Sequence, residues 1–341
     1  MSEPRDAVAD LRRIAFLLER AHESTYRVRA FRGAVAVLDG RDTGELERLN
    51  RTGELLRLKG VGEVTARCVG ESLSGEEPAY LHRLETTEVP PLDGAALALR
   101  GAVRGDCHTH TDASDGGSPM AEMVRTAREL GHDYVVITDH SPRLTVANGL
   151  SAARLRAQIE QVAELNVELG DGFRVLTGIE VDINEDGSLD QDPDLLAELD
   201  VVVASVHSKL RMPRAEMTER MLTAVANPLV DVLGHCTGRM VTGNRTRPES
   251  EFDADAVFAA CAGYGVAVEV NSRPERLDPP SRLLRLAVEA GCEFTIDTDA
   301  HAPGQLDWLG KGCERAAACG VAPERVRNTW PVERLLTCRP Y

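Results

Sequence analysis

A chain of 341 residues is too long for one small domain and long enough to bury a large core. Its net charge of −16 excludes bulk electrostatic capture of nucleic acid, so any contact with a polyanion is local or made through bound cations. Eight scattered cysteines without a CxxC pair, a polar start and no apolar run long enough to span a bilayer predict a reduced, cytoplasmic protein.

Residues 6–38 read as helical. Leu11, Ile14, Ala15, Leu18 and Ala21 follow helical spacing, and a second helix begins near Tyr26 and carries Val28, Phe31, Val35 and Leu38. Arg27, Arg29 and Arg32 lie among these apolar positions as a candidate phosphate-facing patch, or as solvated helix faces. Next, Leu55 to Ala66 places two helical stretches around the turn Lys59-Gly60-Val61-Gly62. Glycines let a backbone approach closely, and the amides opening the following helix bind phosphate. A plain helical hairpin with a glycine turn fits the same spacing. The first 90 residues carry a net −2 against −14 for the rest, which mildly favours nucleic acid here. Pro90 and Pro91 break the helical pattern. The expected division is therefore a helical domain over 1–90, a linker over 91–103 and a second domain over 104–341.

From Arg104 onward strands and helices alternate. Seven apolar strand candidates are Ala102–Cys107, Tyr134–Thr138, Phe173–Ile179, Val201–Val206, Val230–Gly234, Val266–Val270 and Glu293–Thr298. Helical patterns lie between them, over 120–130, 152–169, 216–226, 254–264 and 281–290. Continuous apolar strands alternating with amphipathic helices predict an α/β fold, a parallel sheet closed into a barrel with helices outside.

Each predicted strand ends in a metal-ligand type. In chain order these are His108 and His110 with Asp115 in the next loop, then Asp139-His140, Glu180, His207, His235, Glu269-Val270-Asn271 and Asp299 with His301. Six of the nine histidines sit at these ends, which meet in one mouth when a barrel closes. Cys107, between Asp106 and His108, is expected to point away from both histidines into the core. Histidine mixed with carboxylate suits zinc, manganese or iron, and this many ligands needs two or three ions with Glu180 as a bridge. Such clusters hydrolyse phosphate esters. Lys209, Arg239 and Arg276 are candidates to bind the phosphate. Asn271 is a candidate to orient substrate or to support a ligand.

These motifs resemble those of the PHP (polymerase and histidinol phosphatase) domain. The carriers are Asp106-Cys107-His108-Thr109-His110 with Ser114-Asp115-Gly116, Ile137-Thr138-Asp139-His140, Gly178-Ile179-Glu180, Ser205-Val206-His207-Ser208, Gly234-His235 and Thr298-Asp299-Ala300-His301. The likeness runs from about residue 104 to 336 and is nearest to the carboxyl-terminal PHP domain of bacterial family X DNA polymerases. Met217-Thr218-Glu219-Arg220, Asn227-Pro228, Thr237-Gly238-Arg239 and Asn328-Thr329-Trp330-Pro331 add to it. Residues 6–85, with Tyr26 to Arg32, resemble the amino-terminal helix-hairpin-helix domain of the same polymerases.

The resemblance implies a distorted seven-stranded (β/α) barrel holding three metals. His108, His110, Glu180 and Asp299 would hold the first, Glu180, His207 and His235 the second, and Asp115, His140 and His301 the third. His108, His110, Glu180, His207 and Asp299 form the expected catalytic set. The implied activity is a manganese-dependent 3′–5′ exonuclease or DNA 3′-end processing enzyme with a bridging hydroxide as nucleophile. Arg27, Arg29, Arg32, Lys59, Gly60 and Gly62 would grip DNA. Two readings compete: a small-molecule phosphatase of the histidinol phosphatase type, and a DNA-binding accessory protein with a structural metal. The sequence departs from those polymerases in two ways. No polymerase palm segment separates the hairpin from the barrel, and Cys68 stands where lyase-active relatives carry a Schiff-base lysine.

Overall fold

The computed structural model describes residues 3–87, 90–243 and 246–337. The chain forms two compact units, Met1–Pro91 and Leu92–Tyr341.

The first unit is all-helical: α1 (Ala7–Arg20), α2 (Thr25–Leu38), α3 (Thr43–Arg51), a 3₁₀ turn over Glu54–Arg57, α4 (Glu63–Leu73) and α5 (Ala79–Glu85). Asp6 caps α1 by accepting from the amides of Val8 and Ala9. Leu11, Ile14 and Leu18 of α1 meet Phe31, Val35 and Leu38 of α2 and Val69 of α4 in one core. Cys68 is buried in that core. The first arm of the expected hairpin is the short 3₁₀ turn rather than an α-helix. The turn itself demands glycine at Gly60, whose φ is +106° and where a side chain would press on Val37 and the Gly33 carbonyl of α2.

The expected linker over 91–103 is corrected by the structure. Once past the paired prolines, Gly94–Ala102 forms a helix, α6, and buries Ala96 and Leu99. This run is rich in alanine and leucine, both strong helix formers. Leu99 joins the core of the second unit, where α6 packs on α13 (Leu309–Ala318).

The second unit carries seven strands: β1 (Gly105–Thr109), β2 (Tyr134–Ile137), β3 (Arg174–Asp182), β4 (Val201–Ser205), β5 (Val232–Leu233), β6 (Ala267–Asn271) and β7 (Phe294–Asp297). They lie in sequential order with every neighbouring pair parallel. Helices α7 (Met120–Glu129), α8 (Ala152–Leu169), α9 (Pro193–Ala197), α10 (Arg214–Val225), α11 (Ala254–Tyr264) and α12 (Ser281–Glu289) intervene between strands. α13 and α14 (Val332–Leu336) follow β7. Alternate strand residues face two cores. Tyr134, Val136, Leu176, Val201, Val203 and Ala267 form one, against which Val332, Leu335 and Leu336 of α14 pack. Val202, Ala204, Val268, Val270 and Ile296 pack outward with Met217, Met221, Phe258 and Leu284 from the helices.

The barrel closes between β1 and β7 through side chains more than through a ladder. A single bridge joins Thr109 to Ala300, and His110 N donates to Ala300 O at 2.8 Å. Asn328 fills the rest of the gap: its Nδ2 donates to Gly105 O (2.9 Å) and Ile296 O (2.7 Å), and its Oδ1 accepts from Ile296 N (3.1 Å). Thr298 donates its hydroxyl to Asp106 at 2.5 Å, and Asp297 accepts from Cys107 N at 2.8 Å. No described helix is long and apolar enough to cross a membrane.

Candidate metal centre

β1 is irregular where it matters. Its register against β2 shifts between Asp106 and Thr109. Cys107 therefore packs among the interior residues Tyr134, Val136 and Leu176, while His108, the next residue, also reaches inward, to 3.3 Å from Glu180. Regular alternation had predicted Cys107 on the opposite face from the histidines. The irregularity puts both inside, with Cys107 below as a core residue, the re-aiming that a bulge performs.

Glu180 ends the run Leu176, Gly178, Glu180 on the inner face of β3. Gly178 is glycine because a side chain there would strike Val136 of β2 and Thr138 just beyond it. Five imidazoles surround the Glu180 carboxylate. His235 Nε2 is at 2.8 Å, His140 Nδ1 at 2.9 Å, His207 Nε2 at 3.1 Å, His108 Nε2 at 3.3 Å and His110 Nε2 at 3.5 Å. His110 Nε2 is also 3.5 Å from Asp299, and Asp115 lies 3.5 Å from His140 and 3.4 Å from His301. All nine ligand positions expected from the sequence are thus in one cluster.

Their donor atoms form four overlapping groups, each within 4.8 Å: His110–Asp115–His140–His301, His108–Glu180–His235, His108–His110–Asp299 and His140–Glu180–His207. The donor set is the test of whether cations fit. His108 Nε2, both ring nitrogens of His110 and His207, and Glu180 Oε2 are buried without a hydrogen-bond partner among the described residues. Buried polar atoms are rarely left so, and imidazole with carboxylate is a donor set for divalent transition ions. Burial opposes the charge on Glu180, but His207, His108, His140 and His235 hold its carboxyl well below the usual range. Burial likewise opposes the charge on Asp299, but Arg276 and Arg273 hold it low.

Three groups hold these ligands in place: Glu269, expected from the sequence only as a strand-end ligand type, and Asp182 and Arg273, which the sequence reading missed. Glu269 accepts from His108 Nδ1 at 2.6 Å and from His235 N at 2.5 Å, leaving His108 Nε2 to face Glu180. Asp182 accepts from His207 N at 3.1 Å and lies 3.4 Å from His207 Nδ1. Arg273 reaches His301 Nδ1 (3.1 Å) and Asp299 (3.5 Å). Carboxylates behind metal-binding imidazoles fix tautomer and ring orientation. The available signal was the inner-face period of two, which sets Glu269 beside Asn271 on β6.

The expected substrate-binding residues divide. Arg276 donates from Nε to Asp299 at 2.9 Å, and its buried Nη1 has no partner among the described residues. Lys209 is exposed, two residues past His207. Asn271 is spent on the ligands, donating to Glu269 (3.2 Å) and Asp299 (3.3 Å). Arg239 commits Nε and Nη2 to the chain, donating to Arg276 O at 2.9 Å and to Leu277 O, and its Nη1 turns away from the metal ligands to lie 3.5 Å from Glu249. Neither Asn271 nor Arg239 is therefore kept as a ligand of the reacting phosphate. In the first unit Lys59, Gly60, Gly62 and Arg29 are exposed, and Arg27 is exposed beside Glu23 (2.9 Å). Arg32 is withdrawn from the DNA-facing set. It grips Glu19, whose side chain is only 2% exposed, through two bonds of 2.8 and 2.7 Å and so ties α2 to α1.

Residues 106–273 match the model of the PHP domain. Over 236 residues, 69% of this chain, it is 40% identical to the DNA polymerase/3′-5′ exonuclease PolX of Bacillus subtilis (strain 168). The match spans only 41% of that protein's length. A probable phosphatase of Shewanella sp. (strain MR-4) is 30% identical over 241 residues, which cover 67% of this chain and 89% of the relative. Among solved structures, the histidinol phosphate phosphatase of Lactococcus lactis, complexed with zinc, L-histidinol and phosphate, is 21% identical with a TM-score of 0.46. That alignment covers 64% of this chain and 94% of the phosphatase.

Proposed function

We propose, from the premise that this chain belongs to the PHP family and is a metal-dependent phosphoesterase, that it trims DNA strands from their 3′ ends. The observation that carries the DNA reading is the glycine turn of the first unit. Gly60 and Gly62 are exposed there, Lys59 is exposed beside them, and the first-turn amides of α4 open at Gly62. This is backbone geometry suited to gripping a phosphodiester without reading sequence. The relation to the Bacillus subtilis exonuclease supports the same reading.

His108, His110, Glu180 and Asp299 would hold one ion, Glu180, His207 and His235 a second, and Asp115, His140 and His301 a third. Manganese, zinc or iron suits the donors. Divalent ions there supply an acidified water and a clamp on phosphoryl oxygens. The chain's own residues do the remaining work. Glu269, Asp182 and Arg273 orient the ligating rings. Arg276 carries an unpartnered Nη1 that can donate to a phosphate oxygen, and Lys209 stands at the rim. The walls bury the donors away from water, which strengthens every charge interaction on the phosphate.

The test is hydrolysis of a 5′-labelled single strand by manganese-loaded protein, alongside histidinol phosphate, with His108→Ala as control. A ladder shrinking from the 3′ end and lost in the variant is the expected result. Phosphate release from the monoester with intact DNA would overturn the DNA reading in favour of a small-molecule phosphatase.

A further inference from the structure

A cleft of about 580 Å³, walled on one side by the segment that follows β5 and His235, carries a charge opposite to that of the chain. Arg214, Arg239, Arg247 and Arg282 line it, with Glu249 and Glu251 the acidic residues of its wall. Arg214 also pairs with Asp253 at 3.1 Å, so among the described residues four cations stand against three anions, one positive charge in excess in a protein of net −16. The arginines come from three places. Arg214 opens α10, Arg239 and Arg247 lie in the segment between β5 and α11, and Arg282 is in the first turn of α12.

Glu249 occupies the position of a bridging anion. One of its oxygens accepts from Arg282 and the other lies 3.5 Å from Arg239 Nη1. Arg247 is half-buried and donates from Nε to Gly238 O at 2.5 Å. Arg276 joins the two regions: its backbone carbonyl accepts from Arg239 and its side chain donates to Asp299. Arg214 and Arg282 remain largely exposed, with side chains 61% and 65% accessible.

We infer that this cleft binds the backbone of a single DNA strand at phosphates removed from the one being hydrolysed. Planar guanidinium groups bind phosphate oxygens in pairs, and several in one concave wall track a phosphodiester chain. A small monoester held at the metals has no second phosphate to place here. The cleft therefore favours strands over monoesters and supplies the local positive surface that an acidic chain needs. This inference rests on the DNA reading above.

The test uses the full, manganese-loaded chain and a fluorescent DNA dodecamer made uncleavable by a 3′-terminal methylphosphonate, with binding followed by anisotropy over a salt series. The Arg214→Gln/Arg282→Gln variant should weaken binding at least about tenfold and flatten the salt slope by roughly 1.4, at about 0.7 for each phosphate no longer neutralised. Glu249→Gln should act in the opposite direction and tighten binding, because it removes the internal competitor for Arg239 and Arg282. Binding of the dodecamer within about twofold of wild type in both variants would overturn the inference. Trimming of an uncapped strand is scored separately. A wild type that binds through the cleft but leaves DNA intact sinks the nuclease reading alone. A wild type that trims, with both variants unaffected in binding, sinks the cleft alone.

Discussion

The mouth of the barrel and its closing seam both bury charged and polar groups, and they satisfy them in opposite ways. At the seam, Asp106 accepts from Thr298 and His108, and Asn328 bonds both edges of the gap. Burial, and then the neighbouring Asp106, push the Asp297 carboxyl well above its ordinary range and favour its neutral form. At the mouth, buried ring nitrogens of His108, His110 and His207 and one oxygen of Glu180 find no hydrogen-bond partner among the described residues. At the seam the chain itself supplies most of the partners, leaving Asp297 Oδ2 without one among the described residues, whereas the mouth gathers unpartnered ring nitrogens and a carboxylate oxygen of the types that bind divalent cations. A protein tolerates such orphaned donors where function needs them.

The largest effect expected from breaking this contrast is at its hub. Glu180→Ala should lower phosphoester hydrolysis at least about a thousandfold, roughly 4 kcal/mol in the barrier, while metal-free stability in chelator stays level or rises. Steady-state kinetics and thermal melts in EDTA check both halves. The seam should answer in reverse. Asn328→Ala strands two carbonyls and an amide, and should cost about 2–4 kcal/mol in urea unfolding, with bound metal retained in the folded protein.

His132 supplies a third kind of buried polar group, an isolated imidazole at the end of α7. Both its nitrogens lack partners among the described residues. Burial, then Arg100, depress its pKa to about 4. Native His132 is neutral, so its contribution to stability is present above the unfolded value near 6.5 and is lost as pH falls toward 4. The loss approaches about 3 kcal/mol. His132→Leu should flatten unfolding free energy over that window, and an unchanged pH profile would refute the assignment.

Smaller effects sharpen the picture. Glu269→Gln keeps the shape behind His108 but removes a charge, and should weaken metal binding about 10–100-fold, measured by chelator competition. Lys59→Gln, at the hairpin of the first unit, should change DNA affinity only a few-fold and reduce its salt slope by about 0.7.

Much of this was legible in the sequence because the signals are local and repeated. Apolar runs marked the strands, and every ligand stands at a strand end or in the loop after it, so sequential strand order was enough to bring the nine together. What was hidden depends on distant partners. Arg32 looked like a DNA contact because Glu19, on another helix, is invisible to spacing. Asn328 closes a gap between β1 and β7 that exists only once the barrel has formed. Cys107 was expected on the opposite face because a one-residue irregularity in β1 leaves no mark in composition. Proline breaks concealed α6, whose reason to fold is Leu99 entering the barrel's outer core.

The central claim is that the mouth is one polynuclear metal centre organised by Glu180. Its most direct test is native mass spectrometry of the manganese-loaded, extensively dialysed chain beside Glu180→Ala. More than one divalent ion per wild-type chain, lost together in the variant, is the predicted result. A metal-free wild type, or the same occupancy in both proteins, would contradict it.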